Sequence, residues 1–124
     1  MSPCADAQVF GSLEPVTVPD SLIDDAARRF ALLSDPTRLR VLALLLEREP
    51  MTVTELSDSL GIAAPNVSQH LARLSAGRLV GREKQGRTVQ YRTIEPSLHP
   101  LCELMCSALV EQAERRSVRP ARAG

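Results

Sequence analysis

At 124 residues the chain is near the commonest domain size, enough to bury one modest core and too short for a second domain. Its 15 Lys and Arg balance 15 Asp and Glu, so net charge argues against indiscriminate nucleic-acid binding, and no apolar run approaches the ~18 residues of a membrane span. Three cysteines, an odd number without framework spacing, fit a reducing cytosol better than a secreted disulfide scaffold; with no basic leader at the acidic start, the expected location is cytoplasmic.

In chain order, residues 1–19 contain Pro3, Pro15, Pro19 and Gly11 with no sustained period, and read as an arm with Val9, Phe10 and Leu13 as its apolar contacts. From Asp20 to Leu33, the residues Leu22, Ala26, Phe30 and Leu33 recur at helical spacing, which predicts a first amphipathic helix with Asp20 as its N-cap. Asp35-Pro36 stops it and opens a second helix to about Arg48, apolar nearly all round through Leu39, Val41, Leu42, Leu44, Leu45 and Leu46. Such a helix belongs at the centre of the core.

Thr52 with Glu55 three residues on fits a capping box at the head of a third helix, Val53 to Leu60, which Gly61 ends. After Gly61-Ile62-Ala63-Ala64, Pro65 suits the first turn of a fourth helix running to about Ala76. Val67, Leu71 and Leu74 form its core stripe, opposite Pro65, Asn66, Gln69 and Arg73. Arg is suited to guanine edges, and Asn or Gln to adenine. Leu79–Glu83, Lys84–Arg87 and Thr88–Arg92 then read as strand, basic turn, strand. The last helix runs from about Leu98 to Arg116, with Pro100 tolerated only in its first turn. A polar tail, 117–124, is expected to be disordered.

Charge is segregated along the chain. Residues 1–27 hold five acids and no Lys or Arg, whereas Ala64 to Arg92 hold six Lys or Arg against the single acid Glu83. A helix-turn-helix followed by a basic hairpin is a winged module for double-stranded DNA. The predicted fold is mainly α with a small β-hairpin wing, in the order α-α-α-α-β-β-α, over residues 20–116. On the reading helix the candidate contacts are Asn66, Ser68, Gln69, His70 and Arg73; Asn66 and Ser68 also suit a first turn as polar residues, and His70 sits near the core boundary, where it could instead tie the helix pair together. Lys84 and Arg87 at the wing are candidate phosphate or minor-groove contacts, which position the protein without specifying sequence.

Ser34-Asp35-Pro36-Thr37-Arg38-Leu39-Arg40-Val41-Leu42, Thr54-Glu55-Leu56, Asn66-Val67-Ser68-Gln69-His70-Leu71-Ala72-Arg73-Leu74, Leu79-Val80 and Gly86-Arg87 before Tyr91 together resemble the ArsR/SmtB family of bacterial winged-helix repressors. The resemblance covers about Arg29 to Thr93. It implies a homodimer joined through the first and last helices, bound to an operator and released by an inducer that is often a metal or metalloid ion. Independently, the last helix carries Leu98, Leu101, Met105, Ala108 and Leu109 on one side, a stripe for which self-association is the economical partner.

On that helix His99, Cys102 and Cys106 fall within ~60° of one another at ~100° per residue. Cysteines at i and i+4 have Cβ atoms ~5–6 Å apart, near enough for two thiolates to share an ion at ~2.3 Å. Two sulfurs make a poor site alone; Cys4, from either protomer, is the candidate third ligand. A three-sulfur pocket suits arsenite, lead or cadmium, and His99 in place of Cys4 moves the preference toward zinc or cadmium. The competing reading makes Cys102 and Cys106 small apolar residues at a subunit seam. No ion is expected to be needed for folding.

The resemblance also marks departures. The cysteine pair that arsenic and cadmium sensors carry as Cys-Val-Cys-Asp-Leu stands here as Thr52-Val53-Thr54-Glu55-Leu56. The Asp and His positions of zinc and nickel sensors fall near Glu95, Ser97, Ala108 and Glu111, and the second helix lacks the cysteine that persulfide sensors use. An operator-binding repressor is therefore the first expectation, with redox control of the same thiols or no inducer as alternatives. A protein-interaction winged helix without DNA binding comes next. A thiol enzyme is weakest, since no oxyanion-hole loop, phosphate cradle or paired carboxylates accompany the cysteines.

Overall fold

The computed structural model describes residues 17–118. Eight elements follow one another: α1 (Asp20–Leu32), α2 (Pro36–Arg48), β1 (Met51–Thr52), α3 (Val53–Leu60), α4 (Ala64–Ala76), β2 (Val80–Gln85), β3 (Thr88–Thr93) and α5 (Leu98–Val118). This is the predicted winged helix-turn-helix with one strand added, β1. The strands form an antiparallel sheet in the order β1-β3-β2, with Met51 opposite Tyr91 and Thr52 opposite Gln90.

Local chemistry sets the element ends. The Asp35 carboxylate accepts from the Arg38 backbone N–H at 3.0 Å with Pro36 beside it, so α2 starts on a satisfied cap. The Thr52 and Glu55 capping box closes in both directions, at 3.1 and 2.9 Å. Gly61 ends α3 at φ 68, a left-handed position that glycine adopts without Cβ strain. At α1 the expected cap is displaced: Pro19 is the N-cap, its carbonyl accepting from Leu22 and Ile23, and Asp20 lies in the first turn. There the acid serves the helix dipole instead of an orphan N–H. Pro100 does lie in the first turn of α5, which continues past Arg116 to Val118.

The core is drawn from the middle of the chain. Val41, Leu42, Leu45, Leu56, Val67, Leu71 and Leu74 are 0% exposed, and Met51, Leu79, Val80 and Leu98 complete the cluster. Helix α2 lies at its centre, although Leu39 on its first turn faces outward. The flanking helices differ. Helix α1 buries no residue, and its Leu22, Ile23 and Phe30 are half exposed or more. Beyond Leu98 and the half-buried Leu101 and Cys102, α5 leaves Leu104, Met105, Leu109 and Val110 in the open. Arg29 Nη1 on α1 donates to Glu95 Oε1 at 2.9 Å and helps hold the first helix beside the root of the last.

Candidate nucleic-acid interface

Helix α4 is amphipathic in the sense a reading helix requires. Val67, Leu71 and Leu74 are fully buried, and this fixes the helix's rotation so that Pro65, Asn66, Ser68, Gln69, Ala72 and Arg73 are exposed. Its N-terminal turn, the part that approaches base edges in helix-turn-helix modules, thus presents Asn66 and Gln69 to solvent. The turn before it is locked by Ser57, whose hydroxyl donates to the Ile62 carbonyl, and by the Ile62 N–H donating to Ser57 O at 3.3 Å.

His70 departs from that exposed set. Its side chain is only 23% exposed and its Nδ1 is buried without a hydrogen-bond partner, 4.0 Å from Asp35 Oδ2 at the head of α2. The ring thus lies between the reading helix and the N-terminus of α2. The Arg38 backbone N–H bonded to the Asp35 carboxylate holds that group below its ordinary pKa, and the charges of Arg38 and His70 act in the same direction.

The hairpin places its cations outward. Val80 is buried at the root and Arg82 to Thr88 are exposed; Lys84 lies in β2 opposite Val89, and Arg87 lies in the two-residue turn with Gly86. The strands run further toward the tip than the expected Lys84–Arg87 turn, because Gly86 at φ 63 takes the left-handed first position of a tight hairpin turn alone. Arg92 faces Glu83 at 3.8 Å, so that pair is close to neutral and Lys84 and Arg87 remain as the forward charges. At the root, Glu49 Oε1 accepts from the Thr93 N–H at 2.6 Å and from its hydroxyl at 2.9 Å. Leu79 joins helix to wing: its N–H donates to Leu74 O and its carbonyl accepts from the Ile94 N–H, both at 3.0 Å. Neither Glu49 nor Leu79 carries a sequence signal for these roles, since both act through main-chain groups of distant partners.

On α5, Cys102 is half-buried and Cys106 exposed, both as free thiols, with His99 exposed one turn before. Burial pushes the Cys102 thiol up, and the neighbouring Cys106 adds to the shift. Among the described residues no group of three or more His, Cys, Asp or Glu is close enough to hold a metal ion. Cys4 lies outside the described residues. Among the described residues the soft donors are thus two sulfurs one helical turn apart, short of a full coordination shell by themselves. No helix among the described residues is long and apolar enough to cross a membrane.

Comparison with known proteins is consistent with this geometry. A model of a helix-turn-helix domain matches residues 33–82. The regulator KmtR of Mycobacterium tuberculosis is 44% identical over 78 residues, 63% of this chain and 59% of that protein, so the chain spans under two thirds of KmtR's length. A probable mercury resistance operon repressor of Streptomyces lividans is 36% identical over 94 residues, 76% of this chain and 74% of the other. The repressor SmtB of M. tuberculosis is 33% identical over 100 residues, 81% of this chain and 71% of SmtB. Among solved structures, the antimony-specific transcriptional repressor AntR superposes with a TM-score of 0.70 at 26% identity, over 86% of this chain and 94% of AntR. All four are named as transcriptional regulators or repressors, and this chain belongs to the ArsR/SmtB family of DNA-binding, winged helix-turn-helix transcriptional regulators.

Proposed function

We propose that the chain is a homodimeric repressor whose α4 enters the major groove of an operator. The observation that carries this reading is the polar, wholly exposed face of α4, held outward by three fully buried residues on its opposite side. Asn66, Ser68, Gln69 and Arg73 contact bases or nearby backbone, and Lys84 and Arg87 contact phosphate. His70, turned toward Asp35, orients the reading helix from behind. The working domain is residues 20–116, and the half-exposed apolar residues of α1 and α5 meet a second copy, setting two reading helices about one DNA turn apart, ~34–36 Å.

The inducer in this reading is a thiophilic ion. The names of the mercury resistance repressor and of antimony-specific AntR support that class, and so does the soft donor pair Cys102 and Cys106 on one face of a helix that the dimer would use. Arsenite, cadmium and lead fit best and zinc less well. The ion would be held by both thiolates, with Cys4, His99 or a partner group completing the shell. Release needs only that the ion favour the conformation with weaker DNA affinity, and 1–3 kcal/mol of coupling corresponds to about 5–150-fold. Redox closure of the same free thiols is the second reading, favoured by the exposure of Cys106.

Fluorescence anisotropy of a labelled duplex bearing the protein's own upstream DNA tests both parts. Gln69→Ala should weaken the operator selectively, whereas Lys84→Ala or Arg87→Ala should weaken all duplexes alike and lower the salt slope by about 1 each. Equal loss on random and operator DNA for Gln69→Ala would remove α4 as the reader. Arsenite, cadmium, lead, zinc and diamide are then added to wild type, Cys102→Ser, Cys106→Ser and Cys4→Ser. Release by one ion in wild type but not in the Cys102 and Cys106 variants supports the sensor; release by diamide alone assigns it to redox.

A further inference from the structure

A cleft of about 720 Å³ opens between α1 and the C-terminal end of α4. Its charged rim is Arg28, Arg29, Arg73 and Arg78 against the single acid Asp25, and its apolar floor includes Leu32 and Ala76. Arg28 pairs with Asp25 and Arg29 with Glu95, which leaves Arg73 and Arg78 without a carboxylate partner among the described residues.

Several features keep the cleft open and positive. Gly77 faces this floor: a Cβ there would fall 2.2 Å from Leu32 Cδ1 and push that terminal methyl aside. The left-handed position that commonly ends a helix with glycine then falls one residue later, on Arg78 at φ 62. A side chain in that conformation costs on the order of 1 kcal/mol, which a guanidinium placed at this rim offsets if it has work to do there. The carbonyls of Arg73, Leu74 and Ser75 are taken up by the N–H groups of Gly77, Leu79 and Arg78 at 3.0–3.1 Å. An anion in the cleft therefore does not meet a bare helix C-terminus. On α1, Asp25, Arg28 and Leu32 lie within ~60° of one another at ~100° per residue, on a different flank from Leu22, Ile23, Ala26 and Phe30, so the cleft is separate from the apolar face proposed to meet the second copy.

We infer that this cleft binds a small organic anion with an apolar body, such as an aryl carboxylate or sulfonate, gripped by Arg73 and Arg78 over the Leu32 floor. The volume is that of a small-molecule site, and planar guanidinium groups suit carboxylate and sulfonate oxygens. Because Arg73 also belongs to the exposed face of α4, an anion that engages it draws a cation away from DNA. The cleft thereby forms a second input to the reading helix, independent of the cysteines.

The test uses the full chain and 1-anilinonaphthalene-8-sulfonate, whose fluorescence reports a bound aromatic anion, alongside the uncharged N-phenyl-1-naphthylamine. Arg78→Gly suits the left-handed backbone while removing the guanidinium with its stem, and Leu32→Phe fills the floor. The expected result is saturable binding at one probe per protomer, competed by benzoate, weakened at least fivefold by Arg78→Gly and by Leu32→Phe. The neutral probe should be unaffected by Arg78→Gly. Equal sulfonate affinity in wild type and Arg78→Gly overturns the inference. So does tighter probe binding after removal of residues 1–16, since the cleft would then belong to the chain's own N-terminal segment. A uniform loss of affinity for all duplexes in Arg78→Gly, with probe binding intact, would assign the arginine to DNA phosphate instead.

Discussion

Two regions of the molecule obey different rules. From Pro36 to Thr93 the chain covers its own apolar surface: Leu42, Leu45, Leu56, Leu71 and Leu74 are 0% exposed. Helices α1 and α5, which flank that segment, leave Phe30 at 61% and Met105 at 59% exposed. The first region supplies ten of the eleven buried core residues among those described, and only Leu98 of α5 is added from outside it. The second carries an apolar face exposed in the single chain as described, together with Cys102 and Cys106. Under the proposed function, a division of this kind would let the α4 face keep its shape while the helices that join two copies shift against each other.

Breaking the first region should have the largest effect. Leu71→Ala removes a fully buried side chain where α4 meets α2, and should cost ~2–5 kcal/mol of unfolding free energy in urea titration. Met105→Arg with Leu109→Arg addresses the second region: helical content and the urea midpoint of the isolated domain should persist, sedimentation should report a monomer, and duplex affinity should drop about 100-fold, or about 3 kcal/mol. A variant that stays dimeric would show that α5 is not the seam.

The junction between the regions is sharpened by Gly77→Ala, which pushes the Leu32 terminal methyl aside and should cost about 1 kcal/mol or less. Adding Leu32→Ala should relieve much of the clash, and a double-mutant cycle reads the coupling. The smallest effect is at Asp35. Its folded pKa lies below the ordinary 3.8, so the carboxylate's contribution is present above that value and is lost as pH falls through the folded pKa. Asp35→Asn, which keeps a capping oxygen, should leave the urea midpoint near pH 6 little changed and flatten its decline in acid, below about pH 4. An undiminished acid slope would remove Asp35 as its source.

The reading head was legible in the sequence because its signals are local. Asp35-Pro36, the Thr52 and Glu55 box and the Val67, Leu71, Leu74 spacing each state an element and its facing within a few residues, and the structure bears out all three. Strand β1 was not legible. Two residues carry no period, and their partners Tyr91 and Gln90 lie far along the chain. The cap of α1 was misplaced onto Asp20 because the Pro19 carbonyl, invisible in residue type, already accepts from the first free N–H groups. At the end of α4 the glycine and the left-handed residue are different positions, Gly77 at φ -83 and Arg78 at φ 62, which residue type alone does not reveal. The roles of Cys102, Cys106 and the base-reading side chains stay proposals, because what they touch is not part of the chain.

The two-residue strand has a mechanical consequence. Pairing of Met51 and Thr52 with β3, and the grip of Glu49 on Thr93, clamp the hairpin at its base, whereas Gln85 and Thr88 at the far end pair only with each other. The wing is thus a cantilever, stiff where it leaves the body and compliant at Gly86-Arg87. Load applied at the tip bends the outer rungs of the ladder first, and amide exchange should slow progressively from tip to base. Grooves differ in width from one DNA sequence to another. In the proposed complex a cantilevered tip would follow those differences while its clamped base isolates α4 from the strain.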